Sequence, residues 1–149
     1  MMIGVKGQTI EHLVEDLALI ERMQPEMVGI GPFLPHKSTP LGGEPAGDLN
    51  LTLATIAIVR IMLPTALIPS TTALATLTPR GRLEGILSGA NVVMPNLSPS
   101  DVRAKYAIYE NKASWGKEAA EGLEALEQEL RTIGYHIDNA RGDHKNQTD

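Results

Sequence analysis

Ser70, Thr71 and Thr72 stand in a row behind the short apolar run Leu67–Ile68, which Pro69 breaks. Hydroxyls and free backbone amides at a strand end can hold a carboxylate or another small anion without net charge. Tyr106 and Tyr109, three residues apart, share one helix face, from which two phenols can hydrogen-bond a substrate. Met94, Pro95 and Asn96 close a second apolar run, Asn91–Met94. Each has a plain reading as well: satisfied loop hydroxyls, a packed tyrosine pair, and a methionine filling core space. His36, between Pro35 and Lys37, reads as a solvent-facing loop histidine, and His12, His136 and His144 are scattered without metal-ligand spacing. Arg141-Gly142-Asp143 spells an adhesion tripeptide, which is coincidence in a cytoplasmic chain, and Glu118 to Glu129 is a solvated helix face.

Composition narrows the chemistry. The 149 residues contain no cysteine, which removes disulfides, thiolate nucleophiles and cysteine-held metal or iron–sulfur clusters together. A net charge of −5 argues against general nucleic-acid binding. Arg60 interrupts the longest apolar run, so no segment reaches the roughly 18 residues a membrane span needs. Glu11, Glu15 and Asp16 break any signal-peptide core, and the expected location is cytoplasmic. With one Phe, one Trp and three Tyr, the core must be mostly aliphatic.

The candidates need elements to hold them. Ile3–Val5 reads as a very short strand with a turn over Gly4 to Gln8, after which Thr9 caps a helix over Ile10–Met23 that Pro25 stops. Met27–Ile30 reads as a second strand, and the loop Gly31–Gly47, with Pro32, Pro35, Pro40 and Pro45, is long enough to suggest a functional loop. Asp48 or Asn50 caps a helix over Leu51–Met62, apolar on most sides and stopped by Pro64. Leu67–Ile68 starts a third strand. Thr78-Pro79 opens a helix over Arg80–Leu87 with Gly89 as its C-cap, and Asn91–Met94 is a fourth strand. A short helix over Asp101–Tyr109 and a charged one over Lys117–Ile133, ended by Gly134, complete residues 1–138, and 139–149 form a polar tail. The fold class is α/β with about four βα units, which fit a small open sheet or half of an eight-stranded barrel equally well.

Five pieces in one order, MIGVKGQT, MVGIGPFLPHKSTPL, IPSTTAL, GANVVMPNLSP and RGDHKN, resemble the C-terminal half of the radical-SAM maturase E family of FeFe hydrogenases. Biotin synthase and methylornithine synthase are its relatives, and the likeness runs from about Met2 to Lys145. GPFLPHKSTPL is the piece that most favours the hydrogenase maturase. The resemblance implies the C-terminal half of a (β/α)8 TIM-type barrel, strands five to eight plus terminal helices. It implies S-adenosylmethionine and a 4Fe–4S cluster in the parent, the cluster held by a cysteine triplet that has no counterpart here. It places Gly4, Gly7 and Gln8 in the turn that approaches the cofactor's adenine, and Met94 at the cavity mouth. Thr71 and Thr72, with Tyr106 and Tyr109, become substrate- or anion-binding residues; no residue is catalytic by itself. Two departures stand out: the family's preceding glycine is missing, and Gln8 stands where some relatives have Glu. Ser114 and Gly122 occupy the neighbourhood where some members hold an accessory cluster on cysteines.

Two functions of different class follow. The first is an enzyme part in hydrogenase H-cluster assembly, inactive alone and completed by an N-terminal half-barrel chain; its start then looks internal, as in a truncated reading frame, a split gene or a fragment. The second is a non-catalytic half-barrel that closes by homodimerising and binds a nucleoside or small anion. A decaying gene product is a third reading, and poor folding would be its sign.

Overall fold

The computed structural model of the chain describes residues 1–94 and 119–144. Its strands are parallel and very short: β1 (Met2–Ile3), β2 (Gly31–Pro32), β3 (Pro69–Ser70) and β4 (Val92–Val93). Met2 and Ile3 pair with Gly31 and Pro32, and Pro69 and Ser70 pair with Val92 and Val93. Parallel bridges from Met27 to Leu67 and from Ile30 to Ser70 join the two halves, so neighbours follow chain order from β1 to β4 without reversal. The proline ring explains the brevity. Pro32 and Pro69 offer no N–H, which leaves only isolated bridges between their two segments. The expected strand Met27–Ile30 therefore pairs only at its ends, and the regular ladder falls one residue later.

The helices match the sequence more closely. α1 (Ile10–Met23) begins at Thr9, whose Oγ1 accepts from the His12 amide while the Thr9 amide donates to His12 Nδ1 at 3.1 Å. Gln24, at φ 48°, and then Pro25 end it. α2 (Leu49–Met62) takes Asp48 as its cap, with the Leu51 amide donating to Oδ1 at 2.7 Å. Its two buried threonines are satisfied inside the helix: Thr52 and Thr55 donate to the carbonyls of Asp48 and Leu51. One helix departs from expectation. α3 (Thr72–Leu77) starts directly after β3, where the sequence reads as loop, and precedes α4 (Gly81–Leu87). Leu74 explains it: fully buried, it anchors a single turn and a half that would be too short to hold by itself. α5 (Ala119–Arg131) follows, with Gly134 at φ 81° beyond its end. The expected helix Asp101–Tyr109 lies outside the described residues.

One aliphatic core joins these elements. Ile3, Ile30 and Ile68 from the strand segments meet Leu13 of α1, Ile56 and Val59 of α2, Leu83 and Ile86 of α4, and Leu126 and Leu130 of α5. Phe33 is the one aromatic residue in the core among the described residues. Opposite the functional rim, Arg60 ties the connections together. Its Nε donates to Gly89 O at 2.8 Å, and its Nη1 reaches the carbonyls of Leu63, Pro64 and Ala66. Partial burial holds this guanidinium below its ordinary pKa. Asn91 reinforces the same corner, accepting from the Ile68 amide at 2.8 Å.

Two outcomes follow. Arg60→Met keeps the aliphatic stem but removes the guanidinium from four carbonyls, of which Leu63 O and Ala66 O keep a second donor, and should cost about 2 kcal/mol in urea unfolding; a change under a few tenths would show that water replaces the guanidinium. At the other end, Glu127 accepts from the Ile137 amide at 2.7 Å and from Arg131 at 2.9 Å, and these bonds, the Ile137 one foremost, hold its pKa below the ordinary 4.5. A depressed carboxylate stabilises above its unfolded pKa and loses that contribution as pH falls through its folded value. Protection of the Ile137 amide should therefore persist above pH 4.5 and disappear at lower pH, and Glu127→Gln should remove the pH dependence.

Candidate functional site

Parallel pairing sends the C-terminal end of every strand to one rim. Four connections gather there: Gly4–Thr9 after β1, Phe33–Gly47 after β2, Thr71 and α3 after β3, and Met94 after β4. The long connection is folded back on its own base. Phe33 N–H donates to Ile3 O at 2.7 Å and Gly47 N–H to Phe33 O at 2.8 Å, so both ends of the loop sit on β1. A Cβ on Gly47 would collide with Ile3 O, and one on Gly4 would collide with Gly47. Lys6 Nζ reaches Glu44 Oε1 at 2.6 Å, bridging the turn after β1 to the same loop; that hydrogen bond holds the Lys6 pKa above its ordinary value.

Beside this loop lies a cavity of about 390 Å³, walled by Met1 and Met2, the strand segment Gly29–Pro32, Phe33 and Leu34, and Thr71 and Ala73. Thr71 is the sole polar side chain among those walls. Its Oγ1 is buried and makes no hydrogen bond. Gly31 lets it sit there: a Cβ on Gly31 would stand 2.9 Å from Thr71 Oγ1. A lone hydroxyl in an apolar cavity has both a donor and an acceptor to offer, and desolvation makes its first polar contact worth more than in water.

The expected site residues separate on this geometry. Thr71 lines the cavity, while Thr72 begins α3 and its carbonyl accepts from Thr76 Oγ1 at 2.9 Å. Gly4 and Gly7 both take positive φ, 86° and 80°, and form a sharp turn. The Gln8 side chain closes that turn, accepting from the Gly4 amide at 2.7 Å and donating to Met2 O at 2.9 Å. These three residues share the rim with the cavity without lining it. Met94 is exposed just past β4. Tyr106, Tyr109, Pro95 and Asn96 lie outside the described residues. His36 is half-buried, its Nδ1 accepting from the Ser38 amide at 3.2 Å. Sequence reasoning passed over Gly31, Phe33 and the Lys6–Glu44 bridge; only the G-I-G run before Pro32 hinted that a side chain would be refused there.

Thr71→Val, which keeps the shape and deletes the unpaired hydroxyl, should raise ligand-free stability by about 1 kcal/mol. A loss of stability in thermal unfolding would mean that the hydroxyl is hydrogen-bonded in solution.

Among the described residues no group of three or more His, Asp or Glu side chains is placed to hold a metal ion, and the sequence has no cysteine. A cysteine-ligated 4Fe–4S cluster does not fit this chain. No protein-family model matches it. Comparison with characterised proteins does find relatives. The chain is 50% identical over 111 residues to the FeFe hydrogenase maturase subunit HydE of Thermotoga maritima, a match covering 74% of this chain and 32% of that protein. It is 33% identical over 95 residues to the 3-methylornithine synthase of Methanosarcina acetivorans, covering 64% of this chain and 26% of the synthase. The corresponding enzyme of Methanosarcina barkeri is 31% identical over 104 residues, 70% and 29% of the two chains. The chain spans about a third or less of the length of these relatives. By sequence it belongs with them, in the radical-SAM, biotin synthase-like family.

Proposed function

We propose that this chain is the C-terminal half of a radical-SAM (β/α)8 barrel acting in FeFe-hydrogenase H-cluster assembly. Its part is to supply the cavity wall and some of the S-adenosylmethionine and substrate contacts, and it is inactive alone. The observation that carries the reading is the 50% identity to HydE over 111 residues. The fold supports it: four parallel segments in unreversed order, with a cavity at their shared C-terminal rim, are what one side of such a barrel requires. Thr71 is the substrate-facing residue, its unpaired hydroxyl suited to a carboxylate or similar small anion. Thr72, and Tyr106 and Tyr109, complete that side of the site. Gly4, Gly7 and Gln8 shape the turn toward the adenine, with Met94 at the cavity mouth. The cluster and the radical chemistry that it supplies belong to a partner half, since the cluster is held by cysteine thiolates and no cysteine is present here. No helix among the described residues is long and apolar enough to cross a membrane.

Reconstitution tests this. The purified chain, mixed with the cluster-loaded first half of Thermotoga maritima HydE, should form a one-to-one complex in sedimentation and release 5′-deoxyadenosine from S-adenosylmethionine faster than either component. Two species sedimenting independently, with no gain in cleavage, would sink the proposal.

A further inference from the structure

Lys6 stands on the turn after β1 between Gly4 and Gly7, both at positive φ. A hydrogen bond from Gln8 N–H to Val5 O at 2.9 Å closes this turn. The turn meets the returning limb of the long loop at two points. At the first, Gly4 and Gly47 bring backbone against backbone, with no room for a Cβ on Gly4. At the second, Lys6 Nζ bonds Glu44 Oε1 at 2.6 Å. A contact of glycine on glycine is by itself a pivot, because neither residue has a side chain to key against the other. A second contact beside the pivot fixes the angle. The limb that carries Glu44 is itself held, since Glu44 N–H donates to Leu41 O at 3.1 Å and Gly47 N–H to Phe33 O at 2.8 Å.

We propose that Lys6 and Glu44 are a positioning pair: their bridge is the strut that sets the tilt of the Gly4–Thr9 turn on the rim. An exposed ion pair adds little to global stability. Here it decides between orientations of one small turn, for which a small free energy suffices. Gly7 shows what the tilt presents. A Cβ there would meet nothing within 4 Å, so the turn offers bare backbone and room for a flat ring. That room fits the adenine contact named above, and this consequence rests on that functional reading. The mechanical role of the strut does not.

Hydrogen exchange on the chain alone tests the mechanical role. In Lys6→Met, which keeps the aliphatic stem and cuts the strut, the Gln8 amide should exchange about threefold faster, as loss of an exposed pair allows. The Phe33 amide, at the base of the loop, should keep its rate. Swapping the pair, Lys6→Glu with Glu44→Lys, should restore the Gln8 rate. An unchanged Gln8 rate in Lys6→Met, an equal acceleration at Phe33, or no recovery in the swapped chain would overturn the proposal. The consequence for the cofactor is read in the complex with the cluster-loaded first half of Thermotoga maritima HydE. There Lys6→Met should raise KM for S-adenosylmethionine about threefold and leave kcat within about twofold, and the swap should reverse the rise. A fall in kcat with KM unmoved would overturn the positioning role. Failure to form any complex would count against the function proposed above, while the exchange rates decide the strut by themselves.

Discussion

The backbone ladder from β1 to β4 holds the described candidate site residues in place, and it is thin. Pro32 and Pro69 remove two donors from the middle of it, leaving two residue pairs on each side and two bridges between. So short a ladder cannot set the strand order by hydrogen bonding alone. The order comes from what lies behind it: Ile3, Ile30 and Ile68, each fully buried on the same aliphatic core, fix which face of each segment points inward. A one-residue slip would turn each of them out of this core, and the loss of burial would be about 2 kcal/mol or more apiece.

With the order fixed, the two ends of the sheet do different work. At the N-terminal ends, Arg60 and Asn91 bond carbonyls and amides from the two connections that lead into β3 and β4, and Gly89 at φ 117° lets the second of them pass over the Arg60 stem. At the C-terminal ends, backbone comes close to backbone, as where Gly4 meets Gly47. The stabilising corner is therefore remote from the cavity. That division lets the rim vary in its loops while the opposite side sets stability.

Helices were more legible in the sequence than strands, for a physical reason. α1 is delimited by local chemistry alone, a threonine cap at one end and Gln24-Pro25 at the other, and α2 likewise by Asp48 and Pro64. Strand position is set by partners far along the chain, and no local signal near Met27 says that Pro32 will face Ile3. α3 was hidden for a related reason: its six residues owe their helical state to the burial of Leu74, which only the fold reveals. Thr71 was readable as a site residue because hydroxyls after a strand are conspicuous. Its solitude was not, since that depends on Gly31 and Phe33 arriving from another strand. Gln8 was read through its resemblance to a cofactor turn, and its two bonds to β1 are visible only in three dimensions.

Almost every polar group near the cavity is spent on structure. Ser70 donates to Arg82 O, Gln8 holds β1, Lys6 and Glu44 hold each other, and the Phe33 and Gly47 amides close the loop. Thr71 Oγ1 is the exception, buried and unbonded in a wall of Met, Gly, Pro and Phe. A hydroxyl left in that state costs free energy that the core must offset. Valine would fill the same volume without the cost. The sequence keeps threonine, and with Gly31 opposite it, whose bare Cα leaves room for the hydroxyl, the cavity has one uncommitted polar contact in the wall that faces the rim. An uncommitted donor in an apolar wall orients a small polar ligand more sharply than a ring of polar groups would, because only one orientation of the ligand satisfies both.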